Sequence, residues 1–168
     1  MNTPNPIPIP YDKKEILVRY GEYAILFAHL ENNMREFICR LINDKDMSSG
    51  EIVVNHFTFR TTWSKLLPLY MRKVKEANKI KLFEKLIDDL QIINGERNDI
   101  IHGQWLFGIS VTLLNRVVSP KKELTYSDPE ITPEYFDEKI KTLSELNSRL
   151  LKIVDDYKNM VKNQADGK

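Results

Sequence analysis

Apolar residues recur at three- and four-residue steps along the first quarter of the chain, at Ile16, Tyr20, Tyr23, Phe27, Leu30, Met34, Phe37 and Leu41. That period predicts one long helix over residues 12–43. Ala24, Ile38 and Ile42 widen the stripe, and residues 23–28 are apolar nearly all round, which predicts burial against more than one neighbour. The polar run NDKDMSSG at 43–50 ends the helix. Thr61 or Thr62 caps a second helical segment through Trp63, Leu66, Leu67 and Tyr70, which Pro68 ends or kinks. A third helix, capped by Asn78, carries Phe83, Leu86, Ile87, Leu90 and Ile93 on one face.

After Gly103 the period drops to two. Trp105, Phe107, Ile109, Val111 and Leu113 alternate with smaller or polar residues, a strand rhythm. Ser119 and Pro120 suit the first two positions of a type I turn, and Leu124 to Tyr126 pairs back as a second short strand. Thr132, Pro133 and Glu134 place a cap, a first-turn proline and an early acid in the order that opens a helix. That last helix carries Phe136, Ile140, Leu143, Leu146, Leu150, Ile153 and Tyr157, and runs to about Val161. The pattern predicts an all-α fold: a helical bundle with a small β-hairpin insertion before the last helix, in a single domain over 12–163. Residues 1–11, with prolines at 4, 6, 8 and 10, form a stiff extended arm, and 164–168 a flexible tail.

Composition bounds the rest. A chain of 168 residues, 42% hydrophobic, is one domain with an ordinary core. Its 25 basic and 24 acidic residues exclude a strong overall attraction for nucleic acid, though not a local basic site. Cys39 is the only cysteine, so no disulfide forms within the chain and a reducing, cytoplasmic setting is expected. The N-terminal residues lack a basic region and an apolar stretch, so no secretory leader is predicted. No apolar run approaches the roughly 20 residues of a membrane-spanning helix, so no membrane partner is expected.

Several chemistries are excluded by spacing. His29, His56, His102 and Cys39 are scattered and show no zinc-site pairing, so no metal ligands and no cofactor are assigned. Asp44-Lys45-Asp46 begins like a calcium loop, but its glycine falls one position late and the closing glutamate is missing. Gly103 and Gly108 have the spacing of a phosphate-binding loop, yet Ile109 stands where its lysine must be.

One constellation remains. Of the eight arginines, only Arg97 has a histidine, His102, five positions on. The pair ends an amphipathic helix, Asn98 follows the arginine directly, and Gly103 follows the histidine where a C-terminal capping glycine belongs. Structural alternatives exist for both residues. Arg97 has Glu96 and Asp99 as possible ion-pair partners, and His102 can interact with the helix dipole. Gly95, costly within a helix, marks either a break or a point of close helix approach. Glu31 and Asn32, polar within the first helix, either face a cleft or line the solvent side. Arg72, Lys73 and Lys75 form a modest basic cluster.

The segment Arg97-Asn98-Asp99-Ile100-Ile101-His102, continued by Gly103-Gln104-Trp105, resembles the signature of the HEPN superfamily, R-x(4–6)-H with a polar residue after the arginine. The order of helices over residues 12–161 is also similar. The resemblance implies a homodimer with the motif at the interface, metal-independent RNA cleavage of toxin or defence type, and a dedicated antitoxin, often a small nucleotidyltransferase. On that reading Arg97 and His102 are catalytic, while Asn98 and Glu31 contact substrate. The alternative is a non-catalytic HEPN-like module that binds RNA, a nucleotide or a protein. Positions five apart on a helix point about 140° from each other, so a two-fold dimer is expected to bring the groups together better than one helix does.

Overall fold

The bundle is organised by α1 (Tyr11–Ile42), whose stripe of Ile16, Tyr23, Phe27, Leu30, Met34, Phe37 and Leu41 is buried along its length. A computed structural model describes residues 11–107, 111–118, 124–127 and 131–166. The N-terminal arm lies outside these residues, apart from Tyr11, which begins α1. The turn expected at Ser119 and Pro120 and the last two residues of the chain lie outside them too.

Short α2 (Met47–Val54) and α3 (Phe59–Lys73) follow, then α4 (Ala77–His102) and, after a small sheet, α5 (Pro133–Asp166). Helix α1 borders α3 and α5, and α4 borders the same two, so α1 and α4 face each other diagonally across the core. Phe37 of α1 meets Phe83 of α4 edge-on at 5.9 Å between ring centres, with Tyr70 and Tyr157 completing an aromatic cluster. A second cluster joins Tyr20 and Tyr23 of α1 to Phe136 of α5 and Trp105. The fold is thus the expected all-α helical bundle, with one small sheet before the last helix.

Several boundaries differ from expectation for local reasons. The polar run after α1 contains a helix of its own: the Asp46 carboxylate caps it by accepting from the Ser48 amide at 3.1 Å. Gly50 lets α2 lie directly on α1, since a Cβ there would sit 2.5 Å from the Cα of Cys39. Helix α3 is capped by Thr58, ahead of both expected threonines, and continues through Pro68 to Lys73. Helix α4 starts at Ala77, so Asn78 lies within its first turn, and Glu76 occupies the cap position without a side-chain cap bond. Thr132 caps α5, its hydroxyl accepting from the Tyr135 amide at 3.3 Å. Helix α5 then continues to Asp166, beyond the end of its apolar stripe.

The alternation expected as one strand over 105–113 is two strands. β1 (Gln104–Phe107) and β2 (Val111–Val118) pair antiparallel, with Trp105 opposite Leu113 and Phe107 opposite Val111. Residues directly opposite in such a pair share a face, so the antiparallel pairing of 105–107 with 111–113 keeps the odd–even pattern of one continuous strand. β3 (Leu124–Ser127) adds to the other edge of β2, giving the order β1-β2-β3. Residues 23–28 pack against more than one neighbour, as expected, with Phe27 on Phe59 of α3 at 4.6 Å and Tyr23 on Phe136 of α5 at 6.0 Å. Burial is not all round, however: Ile25 is 60% exposed, since α2 lies on the far half of α1, around Cys39.

Candidate active site

Helix α4 ends at the aromatic cluster of the bundle, and its last turn carries the motif. Its C-terminal cap does not use the freedom of glycine: Gly103 has φ −67° and ψ 156°, an extended geometry open to any residue. The amide of Gly103 donates to the Asp99 carbonyl at 2.9 Å. The Ile100 carbonyl, left over at the helix end, accepts the Trp105 indole N–H at 3.0 Å. Trp105 in turn stacks on Phe136 at 6.0 Å, with ring planes 6° apart. A β1 side chain therefore closes the helix and pins its end to α5.

Within that turn Arg97 and His102 come together in one chain. The Arg97 Nη1 lies 3.5 Å from His102 Nε2 and donates to the Asn98 Oδ1 at 3.2 Å. Nε2 can accept from the guanidinium only when it carries no proton, which places the neutral ring's hydrogen on Nδ1. The guanidinium carbon stands 5.5 Å from the centre of the Phe27 ring, a cation–π contact across the bundle diagonal. Arg97 is half-buried, while Asn98 and His102 are exposed, so the imidazole and the amide face solvent from a guanidinium seated on the core.

Neither expected acidic neighbour takes Arg97. Glu96 accepts from Lys139 of α5 at 2.7 Å, tying α4 to α5 one residue before the motif arginine. Burial opposes the charge on Lys139, but the Glu96 carboxylate outweighs it and holds the ammonium above its ordinary range. Lys139 also stands 5.6 Å from the centre of the Tyr135 ring. Helix α4 passes through Gly95 without a break, and a Cβ there would meet nothing within 4 Å.

Glu31 is engaged elsewhere. Its carboxylate pairs with Arg35 at 2.7 Å, and Arg35 also donates to the Phe57 carbonyl at 2.9 Å, fastening α1 to the segment before α3. Arg97, Asn98 and His102 are thus brought together, and Glu31 is held in a structural pair. In the basic cluster, Lys75 donates to the Met71 carbonyl, and Arg72 and Lys73 line a separate surface hollow with Leu69. Among the described residues no cluster of three or more His, Cys, Asp or Glu could hold a metal ion. No helix of these residues is long and apolar enough to cross a membrane.

Two contributors escape sequence reasoning. Phe27 and Tyr23 belong to the α1 core stripe, and their period says only that they are buried. Tyr23 is fully buried, and its hydroxyl has no hydrogen-bond partner among the described residues, an arrangement that costs about 1–3 kcal/mol. Burial pushes its phenol well above the ordinary range, with Glu96 and Tyr135 adding to the rise and Arg97 opposing it. A polar residue type inside an apolar stripe is the one signal the sequence offers.

Beside the site a groove of ≈ 290 Å³ runs between α4 and α5, from Asp89 and Ile92 to Glu96 and Lys139. Four carboxylates line it, from Asp89, Glu96, Glu138 and Glu145, against the cations of Lys139 and Arg149. No family model, no curated protein and no solved structure matches the chain.

Proposed function

We propose that this protein is a metal-independent endoribonuclease of toxin or defence type, acting in the cytoplasm as a homodimer with Arg97 and His102 in a shared cleft. The observation that carries this reading is the 3.5 Å approach of Arg97 Nη1 to His102 Nε2 at an exposed helix end. The resemblance of the Arg97–His102 segment to the HEPN signature supports it. A guanidinium beside an accepting imidazole is what RNA cleavage by the ribose 2′-OH needs. His102 takes the 2′-OH proton as that oxygen attacks phosphorus, and Arg97 binds the non-bridging oxygens as negative charge builds on them.

The leaving 5′-oxygen must gain a proton on the opposite side of the phosphorus. One imidazole cannot serve both sides in the same step, and His102 of a second copy supplies the acid. The products are a 2′,3′-cyclic phosphate and a 5′-hydroxyl, and DNA, lacking the 2′-OH, is inert. Asn98, bonded to Arg97, sets the direction of the guanidinium fork. The carboxylate-lined groove repels a phosphate chain, so RNA enters over the Asn98–His102 face. A small nucleotidyltransferase acting as antitoxin fits the same reading.

The near balance of 25 basic and 24 acidic residues favours a second reading, a non-catalytic module that binds RNA, a nucleotide or a protein at the same site. RNA cleavage in EDTA by wild type, Arg97→Ala and His102→Ala separates the two. Cleavage by wild type alone, leaving cyclic phosphate ends, supports the nuclease. Absence of cleavage across structured and unstructured RNAs, with retained binding, supports the module.

A further inference from the structure

The core stripe of α1 contains one polar atom that the packing does not use. The Tyr23 ring lies 6.3 Å from Phe27 and 6.0 Å from Phe136, contacts that a phenylalanine would make equally well. The hydroxyl adds nothing to that packing: Tyr23 is 0% exposed, and its oxygen has no hydrogen-bond partner among the described residues. The groups whose charges act on it are Glu96 and Arg97, together with the Tyr135 phenol. The Tyr23 ring borders Phe27, and Phe27 borders the motif arginine, so Tyr23 lies on the side of α1 that meets the α4 turn carrying it. One turn further along α1, Phe27 bears the guanidinium on its ring face.

We propose that Tyr23 is a positioning residue for Arg97, its hydroxyl completing the guanidinium's setting when that group turns from Asn98 and His102 onto a bound phosphate. The inference rests on the Arg97–His102 site proposed above. In the described state Arg97 spends Nη1 on Asn98 and His102. Binding two phosphate oxygens requires the planar fork to reorient, and the phenolic oxygen accepts one of the N–H groups left facing the core. The buried hydroxyl is thus unsatisfied at rest and satisfied in the ligand-bound arrangement, which favours the aligned guanidinium.

Tyr23→Phe tests the assignment, since it removes one oxygen and keeps the ring. A purely structural tyrosine with an unused hydroxyl would leave activity unchanged and the thermal midpoint unchanged or raised. For a positioning residue the midpoint behaves the same way, but kcat falls about tenfold while KM stays within about twofold, because the aligned fork acts in the transition state. A variant with wild-type kcat overturns the proposal. If the wild-type protein cleaves no RNA, the nuclease reading fails on its own account. The Tyr23 assignment is then decided by the Arg97 Nε–H resonance during titration with inorganic phosphate. A phosphate-induced displacement that Tyr23→Phe diminishes supports it, and identical titrations of the two proteins overturn it.

Discussion

Arg97 and His102 lie five residues apart on one helix, yet Nη1 of the first is 3.5 Å from Nε2 of the second. Ideal geometry aims their Cβ atoms about 140° apart, and the rise between them is about 7.5 Å. The length of the arginine side chain closes that gap, with Phe27 supporting the guanidinium at 5.5 Å. The pair is therefore assembled within one copy, and in the proposed dimer a second copy would add only another imidazole.

Arg97→Lys keeps the charge but loses the planar fork, so one ammonium cannot align on two phosphate oxygens. RNA cleavage is expected to fall by about 10²-fold or more, the scale of losing an oriented transition-state donor. The thermal midpoint should change little, because the side chain is half-buried and makes no buried ion pair. Initial-rate measurements beside a melting curve check both halves.

Two of the three helical glycines, Gly50 and Gly95, should respond oppositely to alanine. At Gly50 the new Cβ meets backbone, 2.5 Å from Cys39 Cα, so α2 must move off α1 and stability drops by about 1–3 kcal/mol. At Gly95 the new Cβ meets nothing, and the gain in helix propensity is about 0.5–1 kcal/mol. Urea denaturation measures each change. If Gly95→Ala also weakens dimerisation or cleavage while stabilising the monomer, its openness serves a close approach between copies.

The long helices were legible because burial repeats along α1, α4 and α5 at helical period, from Ile16 to Leu41 and from Phe136 to Tyr157. The β1–β2 reversal was not, since hairpin pairing preserves alternation. Helix α2 was hidden in a polar run whose Asp46 caps a helix instead of ending one. In the site, the residues adjacent in sequence were legible and those from other helices were not. Phe27, Tyr23 and Lys139 reach Arg97 or its neighbour Glu96 only through the diagonal packing of α1 and the crossing of α5. Glu31 looked available because its polarity stood out, but Arg35 one turn along claims it.

Trp105 links the end of α4 to the core, so Trp105→Phe should loosen the motif turn. The substitution keeps an aromatic ring beside Phe136 but removes the donor to the Ile100 carbonyl. The lost hydrogen bond is worth about 0.5–1.5 kcal/mol. Amide exchange checks where the loss falls: faster exchange is expected at His102 and Gly103, while the α5 core stays protected.

Alkaline pH should destabilise the protein, and the sign follows from the buried phenols. Burial is the largest influence on Tyr23, Tyr70, Tyr135 and Tyr157, and it raises all four above their ordinary value near 10. Above that pH the unfolded chain releases phenolic protons that the folded chain still holds, so stability present below about pH 10 is lost as pH rises. The raised ammonium of Lys139 acts in the same sense, its contribution fading as pH climbs through its folded value. Tyr23 is fully buried and contributes a slope of up to about 1.4 kcal/mol per pH unit. Tyr23→Phe removes that share, so the drop in urea midpoint between neutral pH and about pH 11 should be smaller in the variant than in wild type. Equal drops in the two proteins would mean that the Tyr23 phenol ionises as it does in the unfolded chain.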